Sequence, residues 1–361
     1  MTATLAAQAA KQPAMYTQMD LMQQGENGVN TYRIPALVQA KNGTLIAVAD
    51  ARHDSSRDLP AKISLVMRRS FDNGAHWEPL RTIVAADQGG VGDPSLLLDR
   101  DTGRIWCFFA YGPPGIGFMN SKAGAVTGPT TIQVHTVFSD DDGATWSSQI
   151  DLTPQLKDPT WQGIFVTSGT DIQLRSGRFL LALVARDRVG VIHSVDAYSD
   201  DHGKSWHVGR IIGDATDESH PIQLRNGDVM QNMRNGKTRA IAISKDGGAT
   251  FGAVTHDAAL IDPTCNAGIT RYDNGKTHLI LFTNDASTRR ENLTIKASYD
   301  DGRTWPLQKN IYPGPAAYST VIQLQNGSIG VLYEYGKTDS VERIGFAHFN
   351  LAWLTQPTDK H

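Results

Sequence analysis

Three arginines, three acids and one tyrosine in this chain stand at matched distances from glycines of tight-turn type. Arg33 and Asp93 lie ten residues before Gly43 and Gly103, and Glu218 and Tyr318 lie nine before Gly227 and Gly327. Arg52 lies nine past Gly43, while Arg234 and Glu334 lie seven past Gly227 and Gly327. If each glycine marks a hairpin, the strand entering it begins, and the strand leaving it ends, at one common rim. All seven groups are expected to meet there. Guanidinium groups gathered on a rim repel one another unless an anion joins them. Their planar fork matches a carboxylate with paired charge-assisted bonds of about 1.5–3 kcal/mol each, where lysine acts as an unoriented point charge. Phosphate or sulfate suits the same cluster. A phenol, with a pKa of about 10, becomes a nucleophile only with a base in hydrogen-bond reach. Glu218 is the candidate base for Tyr318. A lone tyrosine at a strand start is ordinarily structural; sharing the rim with Arg33, Asp93 and Glu218 singles this one out.

The elements that position these groups must repeat. Six short turn sequences separate pairs of apolar runs: KNGT from Lys41, DTGR from Asp101, RSGR from Arg175, RNGD from Arg225, DNGK from Asp273 and QNGS from Gln325. Each is a hairpin signal, strongest where Asn precedes Gly. An acidic octapeptide follows each of the first five by 17 to 36 residues. The five are SFDNGAHW from Ser70, SDDDGATW from Ser139, SDDHGKSW from Ser199, SKDGGATF from Ser244 and SYDDGRTW from Ser298. Period-2 apolar stretches precede them, for example TIQVHTVF and VIHSVDAY, and read as half-buried strands. The Asp can bond nearby backbone, the Gly can take positive φ, and the closing aromatic can anchor the turn. After the sixth hairpin comes only RIGFAHFNLAWL, expected as a last strand pair.

Strand, hairpin, strand, connection, strand, octapeptide turn, strand: six such units of roughly 50–60 residues predict an all-β, six-bladed β-propeller of four-stranded antiparallel sheets. No Pro/Ser-rich linker divides the chain, so residues 15–361 are expected to form a single catalytic propeller domain behind an N-terminal tail, 1–14. The octapeptides fall at the end of the strands opposite the rim and read as scaffold. Asp72, Asp141 and Asp246 are expected as solvated turn residues and not calcium ligands, since EF-hand spacing is absent.

Composition narrows the function classes. The 361 residues carry a formal net charge of −3, which gives no footprint for nucleic acid. No apolar run approaches the roughly 20 residues of a membrane span. The two cysteines, Cys107 and Cys265, make neither a disulfide framework nor a zinc site. They fall in units two and five, across the ring, and are expected as free thiols. His53, His135, His193 and His220 show no metal spacing and are expected at the surface or rim. Residues 1–14 lack the basic start and long apolar centre of an intact signal peptide. A secreted or periplasmic protein whose signal is absent or removed is the expectation, and a cytoplasmic one is compatible. A monomer is the expected state.

Between Tyr32 and Leu354 the chain resembles the bacterial-type sialidases (neuraminidases). YRIP at 32–35 is similar to their Arg-Ile-Pro motif, and the five octapeptides to their Asp boxes. The resemblance implies that Arg33, Arg234 of QNMRNG and Arg290 of RENL, next to Arg289, form a triad gripping the sialic acid carboxylate. It implies that Glu334 of LYEYG orients Arg33, and that Asp58, in the loop before Arg68, is the acid/base. Asp54 is the competing acid there. Arg52 is implied as a neighbouring substrate-binding arginine, and Asp93 of GDPS as the group near the sugar's amide and hydroxyl side. Tyr318 of AAYS and Glu218 of DESH are implied as nucleophile and partner. The implied activity is an exo-α-sialidase acting on sialylated oligosaccharides, glycoproteins or glycolipids, retaining in stereochemistry, with no metal or organic cofactor. A trans-sialidase, a hydrolase of the deaminated sugar and a non-catalytic sialoglycan-binding propeller are the alternatives. Two long connections, 111–130 and 151–165, are expected on the rim, where Phe118, Trp161 and Phe165 could line a pocket for the N-acyl group or the aglycone.

Overall fold

The computed structural model describes residues 13–356. The expected 1–14 tail falls outside them apart from Pro13 and Ala14. Strands dominate, and they form six four-stranded units arranged in sequence order. Blade 1 comprises Thr31–Gln39, Leu45–Arg52, Ile63–Ser70 and Arg81–Val84. Blade 2 comprises Gly90–Leu98, Ile105–Gly112, Gln133–Ser139 and Ile150–Asp151. In blade 3 the inner strand is split into Gly163–Val166 and Ile172–Gln173, both pairing with Phe179–Arg186, followed by Ile192–Ser199 and His207–Ile212. Blade 4 runs from Ser219–Gln223 through Val229–Met233 and Lys237–Ser244 to Thr255–Asp262.

Blades 5 and 6 share one long strand, Leu307–Gln323. Its first half completes blade 5 after Gly268–Asp273, His278–Asp285 and Glu291–Ser298, and its second half pairs with Ile329–Tyr335 of blade 6, so the two blades merge into one seven-stranded sheet. Four blades thus stand in sheets of their own and two are continuous.

One expectation fails at the closure. RIGFAHFNLAWL is not a strand pair: Arg343–Phe349 is a strand, and Leu351–Thr355 is a helix capped by the Asn350 side chain. The outer strand of blade 6 comes instead from the other end of the chain. Tyr16–Gln23 pairs antiparallel with Arg343–Phe349, stitching the ring shut.

Each hairpin turns on a left-handed glycine; φ is +93° at Gly43 and +101° at Gly227, which Gly reaches without a Cβ clash. Four hairpins are also tied to neighbours by a glutamine four residues before that glycine. The Gln39 amide donates to the Gly43 carbonyl while its oxygen accepts the Gln325 N–H of blade 6. Gln173, Gln223 and Gln323 make the equivalent link to Arg100, Arg175 and Asp273 of the preceding blade. Asp99 and Arg271 hold that position in blades 2 and 5.

The octapeptides do what turn chemistry requires. Ser70 Oγ donates to Asp72 Oδ1 and accepts the Gly74 N–H, and Asp72 Oδ1 accepts the His76 N–H. The same Ser–Asp–Gly bonding recurs from Ser139, Ser199, Ser244 and Ser298. Their packing is between blades. A Cβ on Gly74 would lie 2.1 Å from the Phe346 ring of blade 6, one on Gly143 2.7 Å from Ile46 of blade 1, and one on Gly203 2.9 Å from Trp106 of blade 2. Each box is a staple onto the blade before it. The apolar core lies in these seams, as with Leu97, Phe108, Ile164 and Phe179 between blades 2 and 3.

Both cysteines are buried free thiols. Two histidines depart from expectation: His193 and His220 are buried. His220 lies 3.2 Å from the Asn266 amide oxygen, and burial pushes its pKa down to about 4, so it is a neutral interior group.

Candidate active site

The inner strands of blades 1, 2 and 6 each carry a β-bulge at the end that reaches the site. Register slips between Arg33 and Ala36, between Gly92 and Ser95, and between Ala316 and Ser319. In the first two the cause is legible locally: Ile34 (φ 62°) and Asp93 (φ 57°) sit in left-handed conformations directly before Pro35 and Pro94. A bulge re-aims one side chain relative to its strand. Arg33, Asp93 and Tyr318 all lie at these points.

Tyr318 is the centre of the cluster. Its hydroxyl donates to Glu218 Oε2 at 2.6 Å, and Arg234 Nη1 donates to the same carboxylate oxygen at 2.6 Å and to the phenolic oxygen at 3.1 Å. The guanidinium carbons of Arg33 and Arg290 stand 5.4 and 5.6 Å from the centre of the Tyr318 ring. Three guanidinium groups therefore surround one phenol. Burial raises the Tyr318 pKa well above its usual value, and the Glu218 charge adds to this while Arg234 opposes it. Burial likewise raises Glu218, against the pull of Arg234.

Glu334 holds Arg33 in place. With no solvent exposure, its carboxylate accepts Arg33 Nε (3.1 Å), Arg33 Nη2 (3.0 Å), the Ile34 N–H (2.7 Å) and the Tyr318 N–H (3.3 Å). Burial works against the Arg33 charge, and Glu334 more than offsets it, leaving this guanidinium more basic than usual. Arg290 is anchored by donation to the Thr264 carbonyl at 2.8 Å. Its neighbour Arg289 is exposed and pairs with Glu291 instead.

On the other side of the cavity, Asp58 projects from the 53–62 loop, 78% exposed, with Oδ1 2.7 Å from Arg52 Nη1. Asp54 is exposed and outside the cavity lining. Asp58 is set by a glycine-lined seat for the next residue. A Cβ on Gly90 would meet the Leu59 side chain at 2.5 Å, one on Gly112 at 3.3 Å, and one on Gly117 the Leu59 carbonyl oxygen at 2.2 Å. Only bare backbone lets blade 2 approach the acid-bearing loop so closely.

Two acids in this region escaped the sequence reading. Asp50, fully buried, binds Arg52 through Oδ2 (3.0 and 3.2 Å) and accepts the Asp93 N–H through Oδ1 (3.1 Å). Burial pushes Asp50 up to about 6 although Arg52 opposes it. Asp93 is raised well above the usual range, by burial and then by the negative charges of Asp50 and Asp58. The signal was present: in LIAVADAR, Asp50 interrupts an apolar strand two residues before Arg52, so both point to one face. The second, Asp217, adjoins Glu218, lines the cavity and lies 3.5 Å from Arg234 Nε.

The cavity at this cluster has a volume of about 390 Å³ and is lined by Asp58, Asp93, Glu218, Arg234 and Tyr318; Arg33, Arg52 and Arg290 are not part of its lining. Its far wall is apolar: Phe118, Ile132, Phe165 and Ile192. Phe118 and Phe165 meet edge to face at 4.8 Å. Trp161 is not part of this wall; it is buried with Leu152, Leu156 and Ile164 in the seam of blades 2 and 3. The clustered candidates for metal ligation among the described residues, Asp99, Asp101 and His202, lie at the opposite end of the blades. Asp99 there is already satisfied by the Asp101 N–H, the Thr102 hydroxyl and His202.

Residues 43–331 match the BNR repeat-like domain family. The sequence is 38% identical over 362 residues to a sialidase of Micromonospora viridifaciens, covering 94% of this chain and 54% of that protein. Among solved structures, the Hadza microbial sialidase Hz136 superimposes with a TM-score of 0.88 at 33% identity, covering 94% of this chain and 69% of that one. The chain belongs to the sialidase family. A sialidase of Bacteroides fragilis is 34% identical over 337 residues, covering 86% of this chain and 61% of that protein. The chain thus spans between half and two thirds of the length of these two curated relatives. Membership agrees with the Asp boxes and with the arginine-ringed tyrosine described above. Among the described residues no helix is long and apolar enough to cross a membrane.

Proposed function

We propose that this chain is an exo-α-sialidase that releases terminal sialic acid from glycoconjugates with retention, using Tyr318 as nucleophile. The observation that carries the reading is the ring of Arg33, Arg234 and Arg290 about a phenol already hydrogen-bonded to Glu218. Sialic acid carries its carboxylate on the anomeric carbon itself. A carboxylate nucleophile would approach that carbon against like charge; a neutral phenol does not, which is why such enzymes depart from the two-carboxylate rule.

The three guanidinium groups clamp the substrate carboxylate and fix the anomeric carbon over Tyr318. Burial and the Glu218 charge keep the phenol protonated until the sugar arrives. Tyr318 Oη then attacks the anomeric carbon, its proton passes to Glu218, and Asp58 protonates the departing glycosidic oxygen. In the second half Asp58 takes a proton from water, which attacks the anomeric carbon. Tyr318 leaves and recovers its proton from Glu218. Two displacements give net retention. Arg52 steers Asp58, and Asp93 receives the sugar's amide and hydroxyl side. The apolar wall of Phe118, Ile132, Phe165 and Ile192 accommodates the N-acyl arm. Every step uses side chains of this chain, acting as a monomer.

A fluorogenic α-sialoside tests this directly. Release of the fluorophore is expected, with the α-anomer of the sugar as the first product seen by proton NMR. Retained glycan binding with no release would instead support a non-catalytic binding propeller.

A further inference from the structure

Half of the cavity's apolar wall, Phe118 and Ile132, is carried by a segment with little apolar anchorage of its own. Between the strands ending at Gly112 and beginning at Gln133, Phe118–Asn120 forms a single 3-10 turn, and no residue from 122 to 130 is buried. A long surface excursion of this kind has few contacts to resist local opening. Beside the Gly124 N–H on the Pro159 carbonyl (2.7 Å) and the Gln133 amide on the Gly128 carbonyl (2.8 Å), what ties it down is a charge. Lys157, on the connection into blade 3, is 4% exposed. Its ammonium donates to the carbonyl oxygens of Lys122 (3.2 Å) and Ala125 (2.5 Å) and to the hydroxyl of Thr131 (2.9 Å). All three N–H donors are thus committed to one loop. No ion pair of Lys157 exists among the described residues, and burial pulls its pKa down to about 8. Burying an ammonium without a carboxylate is costly, so the acceptors it gathers need an account.

The clamped segment is flanked on both sides by cavity wall. Thr131 directly precedes Ile132, and Ser121 directly follows the turn carrying Phe118, Met119 and Asn120, all of which line the cavity. Ser121 is itself fixed: its Oγ accepts the Ile132 N–H at 2.6 Å, and its carbonyl accepts Arg186 Nη2 at 3.2 Å. The Arg186 guanidinium carbon lies 5.7 Å from the Phe118 ring centre. Gly163, across from Phe118, leaves the ring its place, since a Cβ there would come within 3.0 Å of it.

The geometry points to Lys157 as a positioning residue for substrate selection: by donating all three ammonium protons to the 122–131 loop, it holds the Phe118–Ile132 wall against the N-acyl arm of the sugar. The inference rests on the sialidase reading above for the identity of that arm, but the clamp does not.

The test uses Lys157→Met, with Thr131→Val as a milder variant that removes one acceptor at constant volume. Two fluorogenic sialosides with the same leaving group are compared, one N-acetylated and one deaminated. In Lys157→Met the ratio of kcat/KM for the N-acetylated over the deaminated sugar is expected to fall about tenfold, through KM and not kcat, with a smaller fall in Thr131→Val. Amide hydrogen exchange over 117–132 is expected to quicken at least about tenfold while blade strands keep their protection. An unchanged ratio with a loosened loop overturns the selection role. Unchanged exchange overturns the clamp whether or not the protein is active. If wild type cleaves neither sugar, the function reading fails, and the exchange measurement still decides the clamp. If Lys157→Met does not fold, Thr131→Val decides both.

Discussion

The Tyr318 hydroxyl and the Glu218 carboxylate, on blades 6 and 4, meet at 2.6 Å, with Arg234 bonded to both. Residues 100 positions apart in sequence thus form one hydrogen-bonded pair. Replacing Tyr318 with Phe keeps the ring between Arg33 and Arg290 and removes only the reacting oxygen. The expected result is a loss of about 10³-fold or more in kcat/KM, while binding of free sialic acid, followed by calorimetry, stays within about threefold. Equal losses in both would place Tyr318 in binding and not in reaction.

Glu334 links the candidate site to ring closure. It accepts four hydrogen bonds, from Arg33 and Ile34 of blade 1 and from Tyr318 of its own blade. Glu334→Ala leaves the largely buried Arg33 unpaired, which is expected to cost roughly 3–5 kcal/mol of stability. Denaturant unfolding checks this, and kcat/KM should fall in parallel. Glu334→Gln, which keeps the shape and one good acceptor, should lose less of both.

Stability should be higher in mild acid than at pH 8. Asp171 is buried, accepting Ser95 Oγ at 2.6 Å and the Ala182 N–H at 3.0 Å, and burial pushes its pKa up to about 7. A folded pKa above the unfolded value of about 3.9 means that its contribution is full below pH ~4 and is lost as pH rises to ~7. Asp50, at about 6, acts in the same direction. Octapeptide carboxylates such as Asp72 and Asp141, held down at about 2 by their turn hydrogen bonds, lose stability only in stronger acid, as pH falls from ~4 towards 2. His220, held neutral with its pKa at about 4, opposes Asp171 and Asp50, since its contribution is full above ~6.5 and is lost as pH falls towards 4. Thermal unfolding should therefore give its highest midpoint between about pH 5 and 6. Asp171→Asn should raise the midpoint at pH 8 and not at pH 4.5; equal effects at both would contradict the assignment.

Gly117 tests the seat of the acid loop. A methyl group there would meet the Leu59 carbonyl at 2.2 Å, and its relief must move the loop bearing Asp58. Misplaced proton donation penalises poor leaving groups most. Gly117→Ala should accordingly lower kcat on an unactivated sialyl-oligosaccharide by about tenfold more than on an aryl sialoside. Equal losses on the two substrates would mean the seat does not serve the acid.

Much of this was legible in sequence because the propeller repeats one local grammar. The hairpin glycines and octapeptides announced the blades, and counting from the glycines located Arg33, Asp93, Glu218 and Tyr318, since every inner strand ends at the same mouth. Non-local choices were not legible. Tyr16–Gln23 pairs with a strand more than 300 residues away, and nothing in its own alternation names that partner; RIGFAHFNLAWL could not show that its second half would coil. Asp50 and Lys157 were passed over because a charged residue in sequence reads as surface until a buried partner set is seen. Trp161 was misjudged for the reverse reason: a rim loop's large aromatic can as well fill the seam behind the cavity as line it.

The central claim is a covalent bond between Tyr318 and the sugar. An activated α-sialoside fluorinated at C3 should slow both half-reactions and let the adduct accumulate, since fluorine disfavours positive charge at the adjacent centre. Mass spectrometry of the digested protein is predicted to show the fluorosugar on the peptide containing Tyr318, and no adduct in Tyr318→Phe. Turnover of the sialoside with the sugar on another residue, or with an inverted first product and no adduct, would contradict it.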